Sequence, residues 1–168
     1  IAVINQKGGV GKTTTCVNLS AALGARGFHV LLVDVDPQGN STQGLGVDKS
    51  RLKSSSYDIL VQGARSNEII LHTAYENVDL IPATNVLLGA EIEMIDLPHR
   101  EMQLRQSLVP VRGNYDYIFI DCPPSLGLLA LNALCACDTF LVPIQCEFYA
   151  LEGLSQLMNH VRLVKRTY

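Results

Sequence analysis

The sequence predicts an α/β fold, a doubly wound, mostly parallel sheet with helices on both faces. Three observations predict it. Short apolar runs alternate with longer segments in helical spacing. The first run enters a glycine-rich loop that opens a helix, and a second apolar run follows, which is the order of a βαβ unit with parallel strands. No internal repeat interrupts the alternation, and the 168 residues suffice for one sizeable core.

The first βαβ unit is the clearest part of the pattern. Residues 1–5 are predicted as a buried strand that ends at the glycine-rich loop. Residues 12–25 show helical spacing and are closed by Gly24 and Gly27, and residues 29–34 form a second buried strand. These two strands should therefore lie parallel in one sheet.

The middle of the chain, residues 47–114, has a weaker pattern. A strand is expected at 78–82, and helices are expected at 57–63, 86–95 and 101–109.

The last third of the chain regains a regular pattern. A strand at 115–121 ends on an acid and is stopped by two prolines. The elements expected after it are a helix at 127–137, a strand at 139–144 and an amphipathic helix at 150–165.

The bulk composition excludes several classes of protein. A net charge of −3 does not indicate nucleic-acid binding by the chain as a whole. No apolar run is long enough to span a membrane. Five cysteines without a leader predict small, buried, inert thiols in a reducing compartment. Without an initiator Met, and stopping after a helical pattern, residues 1–168 are expected to be a single domain truncated at both ends.

The glycine-rich loop carries the first chemical signal. Its residues are Lys7, Gly8, Gly9, Val10, Gly11, Lys12, Thr13 and Thr14. Glycines let successive backbone N–H groups turn toward one anion, and the following helix adds its positive end. Lys12 can place a charge on the β- and γ-phosphates of ATP, and Thr13 can ligate Mg²⁺. The strict phosphate-loop pattern fails by one residue, because Gln6 stands where a glycine is usual.

Lys7 is the unusual residue of this loop. Its ammonium group is either solvated or directed at phosphate. A second cation near the β–γ bridge would stabilise the charge that develops in phosphoryl transfer.

Two acidic segments follow predicted strands, at the edge where open α/β sheets bind ligands. Asp121 ends the strand at 115–121, which suits a carboxylate that holds Mg²⁺ directly or through water. Asp34 and Asp36 follow the strand at 29–34, and Asp36 is better placed to orient or activate attacking water. A polar turn that opens on an aspartate explains Asp36 equally well.

Three segments together resemble the deviant-Walker ATPases, the ParA/MinD group of P-loop NTPases. They are the loop Lys-Gly-Gly-Val-Gly-Lys-Thr-Thr at 7–14, Asp-Val-Asp-Pro-Gln-Gly-Asn at 34–40, and Phe-Ile-Asp-Cys-Pro-Pro at 119–124. The run at 142–153 is also similar to the chromosomal ParA, or Soj-like, branch.

The resemblance implies an ATP-driven switch for chromosome or plasmid partitioning, with slow basal turnover. ATP and Mg²⁺ would join two subunits into a homodimer, with Lys7 reaching the partner's nucleotide and Asp36 needed for hydrolysis together with Lys12. The dimer would bind non-specific DNA, and a ParB-type partner would stimulate hydrolysis. The expected location is the bacterial cytoplasm, on the nucleoid in the ATP state.

The alternative is a MinD-like positioning ATPase on a membrane. The Asp-Pro-Gln-Gly-Asn segment favours ParA, so no membrane partner is expected. Members of the group continue past the position of Tyr168, and that part carries much of the basic DNA-binding surface. Within the chain, Arg162, Lys165 and Arg166 form a small basic cluster that is either a DNA contact or a solvated helix end.

Overall fold

The computed structural model describes residues 1–147 and 150–168 and shows one six-stranded sheet. The strand order across the sheet is β3-β4-β2-β5-β1-β6. The strands are β1 (Ala2–Val3), β2 (Val30–Asp34), β3 (Leu71–His72), β4 (Val78–Ile81), β5 (Tyr117–Asp121) and β6 (Phe140–Leu141).

The register of the sheet sets the edge where the acids meet. All neighbouring pairs are parallel except β3 with β4, which confirms the mostly parallel doubly wound fold. Asp34 of β2 is paired in register with Asp121 of β5, and Val3 of β1 is also opposite Asp121. The phosphate-loop strand and both acid-bearing strands therefore end side by side.

Eight helices surround this sheet in the described part of the chain. They are α1 (Lys12–Gly24), α2 (Asn40–Gly44), α3 (Ser56–Gln62), α4 (Ser66–Ile69), α5 (Leu87–Glu93), α6 (Gln103–Leu108), α7 (Leu128–Ala136) and α8 (Ala150–Thr167). Short 3₁₀ turns at Lys49–Arg51, Met94–Asp96 and Arg112–Asn114 complete the connections.

Both faces of the sheet are covered by apolar side chains. Val30 and Leu32 of β2 pack on the side of Cys16 in α1, whereas Leu31 and Val33 pack in the larger core with α3, α5, α6 and α7. All five residues of β2 are buried. This two-sided burial explains why β2 is a continuous apolar run rather than an alternating one.

Several elements depart from the sequence expectation. The strands expected at 1–5 and 139–144 are shorter, Ala2–Val3 and Phe140–Leu141, and the residues after each of them enter the loops at the phosphate edge. The helices α2 and α4 and the antiparallel strand β3 were not predicted. Their residues are few and mostly polar, so no periodic pattern marks them.

The prediction that all five cysteines are buried is wrong at the last two positions. Three thiols are buried, but Cys137 is half-buried and Cys146 is exposed, because Cys146 lies in the loop after β6 rather than in a core element. In the 142–153 run, Phe148 and Tyr149 lie outside the described residues. Among the described residues, no helix combines the length and apolar character needed to cross a membrane.

Candidate functional site: a phosphate loop beside buried carboxylates

The loop between β1 and α1 has the backbone conformation that an anion cradle requires. Gly9 has φ +73° and Gly11 has φ +95°, a left-handed conformation that side chains rarely adopt. A Cβ added at Gly8, Gly9 or Gly11 would meet nothing within 4 Å, so open space lies before the loop. Helix α1 begins directly afterwards at Lys12, which turns its positive end toward that space.

Lys12 closes the loop from inside. Its side chain is buried, with a relative exposure of 6%, and its Nζ donates a hydrogen bond to the carbonyl oxygen of Lys7 at 3.1 Å. Burial lowers the pKa of Lys12, while the nearby carboxylates of Asp121 and Asp36 act in the opposite direction. The ammonium group is therefore held in place before any ligand arrives. Thr14 lies exposed on the first turn of α1.

Asp121 is the centre of the buried acid cluster. Its Oδ2 accepts hydrogen bonds from Thr13 Oγ1 at 2.8 Å and from Ser41 Oγ at 2.6 Å. Its Oδ1 is buried and has no hydrogen-bond partner among the described residues. Burial raises the pKa of Asp121.

The unpartnered oxygen of Asp121 points to a cation as the missing partner. A buried carboxylate oxygen without a donor is costly unless an ion or water satisfies it. Thr13 and Asp121 supply hard oxygen donors, which suits Mg²⁺. In the described part of the chain no group of three or more His, Cys, Asp or Glu could hold a metal. With Thr13 and Asp121 as its protein donors, such an ion would take its other ligands from phosphate and water.

Asp34 holds the turn that follows β2. Its Oδ2 accepts from the backbone N–H of Thr42 at 2.8 Å and from Thr42 Oγ1 at 2.7 Å, and its Oδ1 accepts from the N–H of Asp36 at 3.1 Å. Burial, followed by the charge of Asp121, raises the pKa of Asp34 to about 7. Thr42 Oγ1 also accepts from the N–H of Ala83 at 2.9 Å, which ties this turn to the end of β4.

Asp36 lies in the same turn and faces the same edge. It is 7% exposed, and its Oδ1 accepts from the N–H of Gln38 at 2.9 Å. Gly39 closes the turn at φ +58°, where a Cβ would meet the carbonyl oxygen of Ala83 at 2.7 Å. The loop at 35–39 is thus folded tightly against β4, and Asp36 is held close to Lys12.

Lys7 lies at the outer rim, away from the buried acids. Its ammonium group forms an ion pair with Glu147 of the same chain, and the two side chains are 50% and 49% exposed. Gln145 Nε2 donates to the carbonyl oxygen of Gly9 at 3.1 Å, and Asn5 Nδ2 donates to the carbonyl oxygen of Pro143 at 2.8 Å. The segment after β6 therefore packs along the phosphate loop.

The structure brings together Lys12, Thr13, Asp36 and Asp121, and leaves Lys7 at the rim. Sequence reasoning missed Ser41, Thr42, Gln145 and Glu147 as members of the site. Ser41 and Thr42 follow the Asp-Pro-Gln-Gly-Asn turn directly, and a hydroxyl pair after an acidic turn was an available signal. Gln145 and Glu147 are 136 and 140 residues from their partners, so no local signal marks them.

Comparison with known proteins agrees with this geometry. The model of a family described as AAA domain matches residues 1–168. The chain is 60% identical over 166 residues to the sporulation initiation inhibitor protein Soj of Bacillus subtilis, covering 99% of this chain and 66% of that protein. It is 50% identical over 166 residues to the chromosome partitioning protein ParA of Myxococcus xanthus, covering 99% of this chain and 59% of that protein.

A solved structure shows the same architecture. Cobyrinic acid a,c-diamide synthase from Mycobacterium smegmatis, with a bound ATP analogue and magnesium, superimposes with a TM-score of 0.94 at 41% identity. The match covers 99% of this chain and 68% of that one. The chain spans about three fifths to two thirds of the length of the two curated relatives described above. The family match over all 168 residues confirms the resemblance in the three motifs, and the chain belongs to the AAA-domain family of P-loop proteins, in the ParA/MinD group with the Soj and ParA partitioning proteins.

Proposed function

We propose that this chain is the nucleotide-binding domain of an ATP-dependent dimerising switch that partitions chromosomes or plasmids. The observation that carries the proposal is the Asp121 carboxylate. One of its oxygens accepts hydrogen bonds from the hydroxyl groups of Thr13 and Ser41. Its other oxygen is buried beside the phosphate loop and has no hydrogen-bond partner among the described residues. Such an arrangement fits Mg²⁺ held between Thr13, Asp121 and a nucleoside triphosphate.

The roles proposed for the site residues follow from their positions. The N–H groups of residues 8–14 and the Lys12 ammonium group would hold the β- and γ-phosphates. When bound, Mg²⁺ would neutralise charge on the phosphate oxygens. Asp36, held by the N–H of Gln38, would orient the attacking water and accept its proton. Ser41 would keep the Asp121 carboxylate aimed at Thr13.

The dimeric state is the finer part of the proposal. Lys7 is half exposed at the rim, so its ammonium group could reach a nucleotide bound by a second subunit once it leaves Glu147. The second positive charge would then stabilise the transferring phosphoryl group, as an arginine finger does. The proposed partners are a second copy of the chain, a ParB-type regulator that accelerates hydrolysis, and non-specific DNA on the nucleoid.

The basic cluster on α8 is a candidate part of the DNA surface. Arg162, Lys165 and Arg166 are exposed, and Lys165 and Arg166 lie in the last turn of the helix. A dimer would double this charge, which matters because non-specific DNA binding depends on the number of phosphates neutralised.

The proposal is tested with the full-length protein. ATP and Mg²⁺ should produce dimers in light scattering, and those dimers should bind non-specific DNA with a steep dependence on salt. Lys12→Ala should abolish both, whereas the exposed Lys53→Ala serves as the matched control. An ATP-loaded dimer that ignores DNA at low salt would contradict the partitioning function.

A second candidate function is a synthetase that uses ATP to activate a small molecule. The structural match to a cobyrinic acid a,c-diamide synthase favours it. Product analysis separates the two functions, because a switch releases phosphate to water without needing any acceptor. ATP turnover that requires a small-molecule acceptor and yields a modified acceptor would support the synthetase.

A further inference from the structure

The outer side of α5 and of the turn after it carries a row of exposed aliphatic side chains. Leu88, Ile92 and Ile95 follow each other at i, i+4 and i+7, with relative exposures of 66%, 73% and 53%. Val86, just before the helix, is 52% exposed. Residues with this spacing lie on one side of a helix, so Leu88, Ile92 and Ile95 form a continuous surface, named here the α5 stripe, whereas Val86, two residues before Leu88, lies outside it.

The α5 stripe is unusual because the opposite side of the same helix is already used for the core. Leu87, Ala90 and Met94 are fully buried at 0% exposure. A surface helix normally pairs one apolar side with a polar outer side, whereas this helix is apolar on both. Four of the twelve exposed large hydrophobic side chains in the described part of the chain fall within ten residues here. Such concentration indicates a contact surface rather than scattered exposure.

The charges around the stripe are mostly negative. Residues 86–101 contain four acids and one arginine, which leaves three net negative charges. Glu93 and Asp96 are exposed beside the stripe, while the Glu91 carboxylate turns inward and accepts from the N–H of Leu129 at 3.2 Å. Arg100 donates through Nη1 to the carbonyl oxygen of Ile95 at 2.7 Å.

These charges decide between the possible occupants. A second copy docked by twofold symmetry would place the acids of one stripe against the acids of the other. DNA and anionic lipid would be repelled in the same way. A basic partner would gain from the acids, and aliphatic side chains at helical spacing would cover the row.

We propose that the α5 stripe is a docking surface for a basic, amphipathic helical segment of a partner protein. The α5 stripe offers three aliphatic side chains over about two helical turns, which suits a short segment bound reversibly rather than a stable domain interface. The proposal does not depend on the partitioning function, because it rests only on the apolar row and its acidic border.

The experiment uses the full-length protein and a fluorescent helical peptide of leucines at i, i+3, i+4 and i+7 with lysines elsewhere. Anisotropy should show binding that weakens as salt rises, and a peptide with glutamates in place of the lysines should bind at least tenfold more weakly. Ile92→Lys should weaken binding of the lysine peptide about tenfold, because it removes one large apolar contact and adds repulsion. Val109→Lys is the matched control, since Val109 is 67% exposed and outside the row.

Three outcomes would overturn the proposal. They are equal binding of the two peptides, an Ile92→Lys variant that binds as tightly as the Val109→Lys variant, and an Ile92→Lys variant that loses only self-association. Basal ATP hydrolysis is measured on the same variants and should not change. Loss of peptide binding with normal hydrolysis therefore separates this surface from the proposed ATPase site.

Discussion

The buried acid cluster and the outer rim of the phosphate loop are built in opposite ways. Asp121 ends a central strand and is fixed by two short hydroxyl side chains, Thr13 and Ser41, with little freedom to move. Lys7 and Glu147 are two long, half-exposed side chains on loops. An exposed ion pair contributes about 0–1 kcal/mol, whereas breaking a buried polar network costs more. The inner site is therefore preformed, and the outer pair can exchange partners.

The largest effect should follow from changing the buried lysine. Lys12→Ala should abolish detectable ATP binding, because a buried cation between the loop and the acids is removed and Asp121 and Asp36 are left without their counter-charge. Isothermal calorimetry with ATP and Mg²⁺ measures it. Lys53→Ala, on the exposed surface, should bind normally, and comparable affinities of the two variants would contradict the preformed site.

The next largest effect should be on ATP hydrolysis, with ATP binding unchanged. Asp36→Ala should leave ATP binding intact and slow hydrolysis on the order of 100-fold or more, because the proposed base is lost. Steady-state phosphate release measures it, with nucleotide affinity determined in parallel. Asp36→Asn keeps an oxygen for the N–H of Gln38 and tests whether the charge matters. Normal turnover in Asp36→Asn would mean that Asp36 only stabilises the turn after β2 and takes no part in hydrolysis.

A substitution of Lys7 should show directly that the outer rim and the buried acid cluster have different roles. Lys7→Ala should keep part of the ATP affinity, since Lys7 is half exposed and outside the buried cluster, but should lose ATP-driven dimerisation and turnover. Light scattering and phosphate release on the same sample measure both. A Lys7→Ala protein that hydrolyses ATP at the normal rate would refute the role across subunits.

The buried acids should give the metal-free protein a pH-dependent stability. The folded pKa of Asp34 is raised to about 7, above its ordinary value of 3.8, so its contribution is full below that value and is lost as pH rises through about 7. The free energy of unfolding in EDTA should therefore fall between about pH 4 and pH 7 and level off at higher pH. Urea titrations should show a flatter dependence in Asp34→Asn and an unchanged one in the exposed Asp96→Asn. An equal pH dependence of the free energy of unfolding in all three proteins would contradict this role of Asp34.

The smallest effect is expected at the ion pair itself. Glu147→Gln should release Lys7 and raise ATP-driven dimerisation by no more than about fivefold, the equivalent of about 1 kcal/mol. Sedimentation at low salt measures the dimer constant. Asp138→Asn is the control, because it breaks another exposed pair, Arg112 with Asp138 at 2.8 Å, elsewhere on the surface. A gain of the same size in both variants would indicate a change of net charge alone.

The sequence predicted those parts of the molecule that local pattern determines. The loop at 7–14 and the acids Asp34 and Asp121 are recognisable because glycines, a lysine and strand-terminal carboxylates occur next to strongly apolar runs. Parallel strand order then places the acids at one edge without knowledge of any contact.

Long-range contacts could not be predicted in that way. Ser41 meets Asp121 across 80 residues, and Lys7 meets Glu147 across 140. The antiparallel strand β3 is two residues long, too short for alternation to show. Exposure of Cys146 depends on the loop after β6 lying outside the core, and local composition does not encode that position.

The place of β1 between β5 and β6 in the sheet has a consequence for synthesis on the ribosome. Both of its neighbours come late in the chain, since Ala2 is paired with Ile120 in β5 and Phe140 in β6. While only the residues up to β4 have left the ribosome, both strands that pair with β1 are missing. The phosphate loop that follows β1 is therefore not yet held in its folded conformation. Nucleotide binding should thus appear only after β6 has left the exit tunnel.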